Sequence, residues 1–92
     1  MGELILPETT ITAGAANVAG SVTLRSYNTS RQSIMIQNLG TATLYVGGSS
    51  VTSSNGLVVL PNGDIMLDKS RGAAVYCYSS GTCNVRFLEE II

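Results

Sequence analysis

The sequence predicts a small all-β domain, a single sandwich or barrel of about eight short antiparallel strands. Short apolar segments alternate with Gly, Asn, Ser and Pro at intervals of roughly 8 to 12 residues, as strands and turns do. No long segment shows the 3.6-residue apolar period of an amphipathic helix. With 92 residues, the chain has room for one domain and one small core.

Residues 1–20 are predicted to form an extended N-terminal arm or edge segment, and residues 21–92 the β domain. Leu4, Ile5 and Leu6 form a short apolar run that ends at Pro7. Residues 13–20 are mostly small and lack an amphipathic pattern. Two interpretations stay open for this segment: an ordinary edge strand with a loop, or an arm that reaches a neighbouring subunit.

A first hairpin is predicted from the alternation of apolar and polar residues at 33–38 and 42–47. A three-residue loop at 39–41 keeps the apolar residues of both strands on one face, whereas a shift of one residue would mix the faces. Gly40 suits a positive φ angle in this loop. The apolar residues that share the face are Ile34, Ile36, Leu44 and Val46.

Three further strands are predicted from shorter patterns. Residues 21–27 alternate between apolar and polar side chains. Four consecutive apolar residues at 57–60 are typical of a short buried strand, and residues 65–67 form another apolar segment. The turn sequences SSNG at 53–56 and PNGD at 61–64 separate these strands from their neighbours.

A second hairpin is predicted over residues 73–88, with its loop at 79–81. The apolar face of this hairpin consists of Val75, Cys77, Cys83, Val85 and Phe87. The register sets Cys77 opposite Cys83 and places Gly81 where a left-handed residue is usually needed. The cysteines could form a cross-strand disulfide, or remain free thiols in the core, as a reducing cytosol favours.

Composition predicts a chain that buries surface against other protein subunits. Only 12% of the residues are charged, compared with about 25% in an average soluble domain. The Lys and Arg residues are scattered rather than clustered, which argues against nucleic acid as a partner. No apolar run approaches the roughly 18 residues of a membrane helix, and no signal peptide is visible, so we expect neither a membrane partner nor secretion.

The residue inventory predicts a protein that is not an enzyme. The chain has no His, the commonest general base and metal ligand in proteins. Two cysteines are too few for a structural zinc site. Asp64 and Asp68 are interpreted as solvated turn carboxylates, and adjacent Glu89 and Glu90 point to opposite sides of a strand. We therefore expect no catalytic residues, no metal and no cofactor.

Two features are candidates for contact with a partner. Tyr76, Tyr78, Asn84 and Arg86 share one face of the second hairpin, so they could bind a sugar or a protein, because Tyr offers rigid amphipathic area. The same residues could simply cover the outer face of a sheet or the second core face of a sandwich. The apolar pair Ile91 and Ile92 could fray, or could dock on a neighbour.

The segments YVGGSSVTSSNG at 45–56 and LPNGD at 60–64 resemble a pattern of small tailed-bacteriophage virion proteins. The strand RQSIMIQN at 31–38 fits the upstream part of that pattern, and the residues at 73–76 and 85–89 fit the downstream part. The resemblance covers about residues 22 to 90 and includes no catalytic residues. It implies a β-sandwich virion component, often a capsid decoration (cement) protein.

This resemblance implies that the chain binds the outer surface of the major capsid shell and stabilises it. Its expected partners are the major capsid protein and further copies of itself, as a homotrimer, on a virion assembled in the host cytoplasm. The alternative is a tail, neck or fibre-associated adhesion module that binds a host surface glycan. The candidate interface residues are Leu4, Ile5, Leu6, Tyr76, Tyr78, Asn84, Arg86, Ile91 and Ile92.

Overall fold

The computed structural model describes residues 10–68 and 72–92, and this part of the chain is all-β. Its strands are β1 (Thr10–Arg25), β2 (Arg31–Asn38), β3 (Leu44–Gly47), β4 (Leu57–Val59), β5 (Asp64–Leu67) and β6 (Val75–Ile91). The predicted fold class is confirmed, although the described residues contain six strands where about eight were predicted for the whole chain, and two of the six are long. No helix among the described residues is long and apolar enough to cross a membrane.

Strand β6 is the strand to which the rest of the sheet is attached. Strand β1 pairs antiparallel with it from Thr10 opposite Ile91 to Arg25 opposite Val75. Strand β2 pairs with the last part of β6, and β3 pairs with its first part. Strand β5 then pairs with β2, and β4 pairs with β3, which gives the order β4-β3-β6-β2-β5 with β1 beside β6.

Strands β1 and β6 turn a corner at the same place. Val18 pairs with Cys83 and Gly20 pairs with Ser79, so a single residue of β1 spans residues 80–82 of β6. Gly20 has a φ of 69°, in the left-handed region that glycine adopts without strain. The Sγ of Cys83 lies 3.2 Å from the Oγ of Ser79, whereas four residues of straight strand span roughly 13 Å. Strand β6 therefore bends sharply at this corner.

The corner divides the sheet into two halves that share one core. The first half contains β2, β5 and residues 10–18 and 83–91 of the long strands. The second half contains β3, β4 and residues 20–25 and 75–79. Buried side chains of both halves form a single cluster, so the halves turn their apolar faces toward each other. The cluster consists of Val18, Leu24, Ile34, Ile36, Leu44, Val46, Val59, Val75, Cys77, Cys83, Val85 and Phe87.

Neither of the predicted hairpins is present. Strand β2 pairs with β5 and β6, and β3 pairs with β4 and β6, so Ile36 and Leu44 are not strand partners. Strand β6 continues through residues 79–81, where a reversal was predicted. Gly40 and Gly81 do not have positive φ angles; among the described glycines, Gly20 at the corner does.

The chain passes from the first half to the second just after Asn38, which is fully buried. Its Nδ2 donates hydrogen bonds to the carbonyl oxygens of Ala42, at 2.9 Å, and Val59, at 3.0 Å. Its Oδ1 accepts a hydrogen bond from the Gly40 N–H at 2.9 Å. One amide side chain thus holds the crossing loop and β4 together.

The small residues near the N-terminus have a packing role. The predicted boundary between residues 20 and 21 falls inside β1, so residues 10–20 belong to the sheet. A Cβ atom at Gly14 would lie 2.3 Å from Cζ of Phe87, which shows how closely the ring approaches the β1 backbone. The apolar run Leu4–Leu6 predicted as part of the arm lies outside the described residues.

Candidate interaction surfaces

Four exposed apolar side chains form a continuous row across the outer face of the first half. Ala13 pairs with Leu88, Leu88 pairs with Met35, and Met35 pairs with Met66, on strands β1, β6, β2 and β5. Met66 is 53% exposed, Leu88 40% and Met35 36%. We call this row the apolar stripe. A contiguous apolar surface of this kind is typical of a protein contact.

Rows of mostly polar residues flank the apolar stripe on both sides. The next row toward the corner consists of Ala15, Arg86, Gln37 and Asp64, which are aligned by strand pairing. The row on the other side contains Ile11, Glu90 and Ser33. A shallow groove of about 290 Å³ runs across the stripe near Ala13 and Gly14, where β1 has no large side chain.

The outer face of the second half carries a cluster of tyrosines. Tyr45 pairs with Tyr78 across β3 and β6, and their ring centroids lie 6.2 Å apart at an interplanar angle of 42°. Tyr76 lies on the same face of β6, two residues before Tyr78. All these tyrosines are half-buried. The aromatic surface therefore includes Tyr45, which the sequence analysis did not single out.

The corner separates the four residues predicted to form one contact face. Tyr76 and Tyr78 lie before the corner, on the outer face of the second half. Asn84 and Arg86 lie after it, on the outer face of the first half. Because the two halves turn their inner faces toward one core, their outer faces point away from each other. The structure therefore does not bring these four side chains together.

The C-terminal isoleucines lie beside the start of β2. Ile91 is half-buried and pairs with both Thr10 and Arg31. Ile92 is 51% exposed, and its N–H donates a hydrogen bond to the carbonyl of Ser30 at 2.9 Å. The backbone of this end is thus held in the sheet, and the Ile92 side chain faces solvent.

A charged cluster is buried at the end of the sandwich remote from the corner. Nη1 of Arg31 lies 2.9 Å from Oε2 of Glu89, and both side chains are almost fully buried. Arg31 also donates hydrogen bonds to the carbonyl oxygens of Ser26 and Ala73. Nη2 of Arg25 lies 2.9 Å from Oε1 of Glu89, an ionic contact without good hydrogen-bond alignment. The Arg25 guanidinium is 4.7 Å from the centre of the Phe87 ring.

The two cysteines are unbonded and buried in the core. The corner, and not a hairpin, brings both thiols inside. Burial raises the pKa of the Cys77 thiol from 9.0 to about 12, and neighbouring Cys83 adds to this increase. The Sγ of Cys83 lies 3.1 Å from the carbonyl oxygen of Ala42. A thiol with such a high pKa stays protonated at neutral pH, so Cys77 is a poor nucleophile.

The described residues offer no group of three or more His, Cys, Asp or Glu side chains that could hold a metal ion. Glu89 is buried between Arg25 and Arg31. Each of its two carboxylate oxygens contacts one of these arginines.

No protein-family model matches the chain, and no curated protein matches it significantly. A similar solved chain belongs to the structure described as "Bacillus endospore appendages form a novel family of disulfide-linked pili". The match covers 99% of this chain and 96% of that chain, with a TM-score of 0.49 and 15% sequence identity. A likeness at this level carries no argument about function.

Proposed function

We propose that the chain is a non-enzymatic structural subunit of a larger protein assembly. The observation that carries this proposal is the edge of β1. Among the described residues, this 16-residue strand pairs with β6 alone, and it has no charged side chain before Arg25. Edge strands of monomeric proteins are usually short, charged or interrupted by Pro, because an open edge pairs readily with another chain. A long uncharged edge suits a subunit whose neighbours cover it.

The two outer faces support the same proposal. The apolar stripe and the tyrosine cluster lie on opposite sides of the sandwich, so one copy can contact neighbours on two sides. Tyrosine is enriched at the centres of protein interfaces, where it provides large contact area with little loss of rotamer freedom. With only 12% charged residues, the remaining surface has few groups that would resist burial.

Within this class, we propose a capsid decoration protein that binds the outer surface of a major capsid shell. The support for this choice is the resemblance of about residues 22 to 90 to small tailed-phage virion proteins. Stabilisation of a shell needs no reaction centre. It needs a rigid subunit that repeats the same contacts over a lattice, where many small interfaces add together. The β-sandwich with its buried charged cluster fits that requirement.

Cryo-EM of particles assembled in cells that produce the chain tests this proposal. We expect density for the sandwich on the outer shell, at hundreds of copies per particle. The same particles, stripped of the chain and recombined with purified protein, should regain their resistance to heat. Absence of the chain from the particle would contradict the proposal.

Charge on the β1 edge provides the matched variants for this experiment. Ala15→Lys together with Asn17→Lys should weaken binding to the shell, because charged side chains protect an edge strand from pairing. The control is Ser49→Lys together with Ser50→Lys, which places the same charges in an exposed turn after β3. Equal binding by both double variants would show that the β1 edge is not a contact.

A second candidate function is a tail, neck or fibre-associated adhesion module that binds a host glycan. The tyrosine cluster favours it, since Tyr45 and Tyr78 present neighbouring rings on an outer face. Glycan-array binding should then fall when Tyr78 is changed to Ala, and only a handful of copies should be present per particle. Equal binding by the variant would remove this candidate.

A further inference from the structure

We infer that the apolar stripe binds the apolar stripe of a second copy of this chain, face to face. This inference goes beyond the proposed function, because it names one surface and one partner, and it can be tested on the purified chain. It rests on two observations: the shape of the stripe and the charges beside it. Both make the face complementary to itself.

The stripe has a large side chain at one end and a small side chain at the other. Met66 projects at the β5 end, and Ala13 borders the groove of about 290 Å³ at the β1 end. A two-fold axis parallel to the strands, midway between β6 and β2, places Met66 of each copy over Ala13 of the other. The same rotation places Leu88 over Met35. The large Met66 thus meets the small Ala13 and the groove beside it, as close packing between two sheets requires, while Leu88 packs against Met35.

The charges next to the stripe are also self-complementary. Arg86 and Asp64 lie in the same row, separated by Gln37. The rotation places Asp64 of each copy over Ala15 of the other, next to Arg86 of that copy. Two Arg–Asp contacts then flank the apolar contact symmetrically, as an isologous interface requires. Glu90 lies in the row on the other side, where the rotation brings it to Ser33.

The size of the face predicts a weak pair. Four strands and three rows of side chains cover roughly 400 Å² per copy. A standard stable interface covers about 800 Å² per partner. We therefore expect half of the chains to be paired at a concentration on the order of 0.1 mM. Such a contact forms in an assembly, where neighbouring copies are held at high local concentration.

Analytical ultracentrifugation of the purified chain up to about 1 mM tests this inference. We expect a reversible change from the mass of one chain to the mass of two. Leu88→Thr introduces a polar β-branched residue that suits a strand, and it should weaken the association at least tenfold. Leu57→Thr changes a more exposed leucine on β4 and should leave the association within twofold. Because both side chains are exposed, the variants should remain folded, which circular dichroism checks.

Charge reversal identifies the faces that meet. Arg86→Glu alone and Asp64→Lys alone should each prevent self-association, because each puts like charges together in both contacts. Mixing these two variants should restore association at least tenfold over either alone. Glu90→Lys reverses a charge on the same face outside these contacts and should change the association less than threefold.

Several outcomes would overturn the inference. A single species with the mass of one chain at about 1 mM would exclude the pair. The mass of three chains would show that copies meet through another surface. Equal effects of Leu88→Thr and Leu57→Thr, or no restoration in the mixture, would place the contact elsewhere. If the unmodified chain stays monomeric and a stripe variant loses binding to capsid particles, the stripe binds a different protein and not a second copy. If the chain forms pairs but does not bind capsid particles, the pairing of stripes is supported and the proposed capsid function is contradicted.

Discussion

Arg31 and Glu89 form an ion pair that is almost completely buried, with 2.9 Å between Nη1 and Oε2. The arginine begins β2, and the glutamate lies near the end of β6. Through its further hydrogen bonds to the carbonyls of Ser26 and Ala73, the arginine connects segments that belong to both halves of the sandwich. The pair therefore holds the halves together at the end where β6 does not bend.

We expect Glu89→Ala to lower the free energy of unfolding by about 3 to 5 kcal/mol, because it leaves the Arg31 guanidinium buried without its anion. The double variant Arg31→Met with Glu89→Leu should be far more stable than the single variant, since it removes both charges. Urea denaturation of Arg31→Met, Glu89→Leu and the double variant measures the coupling between the residues. If the double variant loses as much unfolding free energy as the two single variants together, the two residues are not coupled and this account is wrong.

Gly40 lies against the backbone of the corner, and we expect Gly40→Ala to destabilise the fold by roughly 2 kcal/mol. A Cβ atom there would be 2.7 Å from Cα of Cys83 and 2.9 Å from the N of Asn84, and backbone atoms cannot move aside as a flexible side chain can. Gly48→Ala is the control, because nothing lies within 4 Å of its Cβ position. Thermal melts should separate the variants, and equal melting temperatures would show that the corner tolerates the methyl group.

The buried thiol of Cys77 should make stability fall above pH 9. The unfolded chain releases this proton with a pKa near 9.0, whereas the folded chain keeps it up to about pH 12. Each pH unit in this interval therefore favours the unfolded state by about 1.4 kcal/mol more. The difference in unfolding free energy between the wild type and Cys77→Val should change by this amount from pH 9.5 to 10.5. A difference independent of pH would mean that the thiol is not held protonated.

Asn38→Asp should destabilise the protein more at pH 8 than at pH 5. The new carboxylate would face the carbonyl oxygens of Ala42 and Val59, to which the amide now donates. Burial and these oxygens raise the pKa of the introduced carboxyl above the usual value of about 3.9. Its protonated form, which can donate one hydrogen bond, gains population as the pH falls. Asn38→Ala has no titrating group and should lose about 2 to 4 kcal/mol at both pH values.

The buried faces of β2, β3 and β6 could be predicted from the sequence, but their partners could not. The run at 57–60, predicted as a short buried strand, leaves Leu57, Val58 and Leu60 exposed. The alternation of Val75, Cys77, Cys83, Val85 and Phe87 identified the buried face of β6. Cys77 and Cys83 are six positions apart, an even offset, so both point inward whether the chain reverses between them or continues as one strand. The pattern of side chains is the same in both cases. Only the pairing with β1, which is distant in sequence, decides between them.

The same limit applies to the candidate surfaces. Ile36 and Leu44 both face the core, but they approach it from different halves of the sandwich, so a shared face did not imply a shared hairpin. The apolar stripe left one local signal in the sequence: Met35 and Leu88 occupy positions where the alternation calls for polar side chains. The predicted patch of Tyr76, Tyr78, Asn84 and Arg86 assumed a flat hairpin. The corner at residues 80–82 turned its two ends to opposite sides.

The place of β6 in the sequence sets the order of events when the protein is made. Strands β1, β2 and β3 all pair with β6, which is translated after the other five strands of the described residues. A chain emerging from a ribosome therefore exposes its apolar strands without their main partner until residues 75–91 have left the exit tunnel. Pairings so far apart in sequence form slowly, and unpaired apolar strands aggregate. Nascent chains of this protein are thus expected to depend on chaperones until β6 has left the exit tunnel, and to fold in one late step.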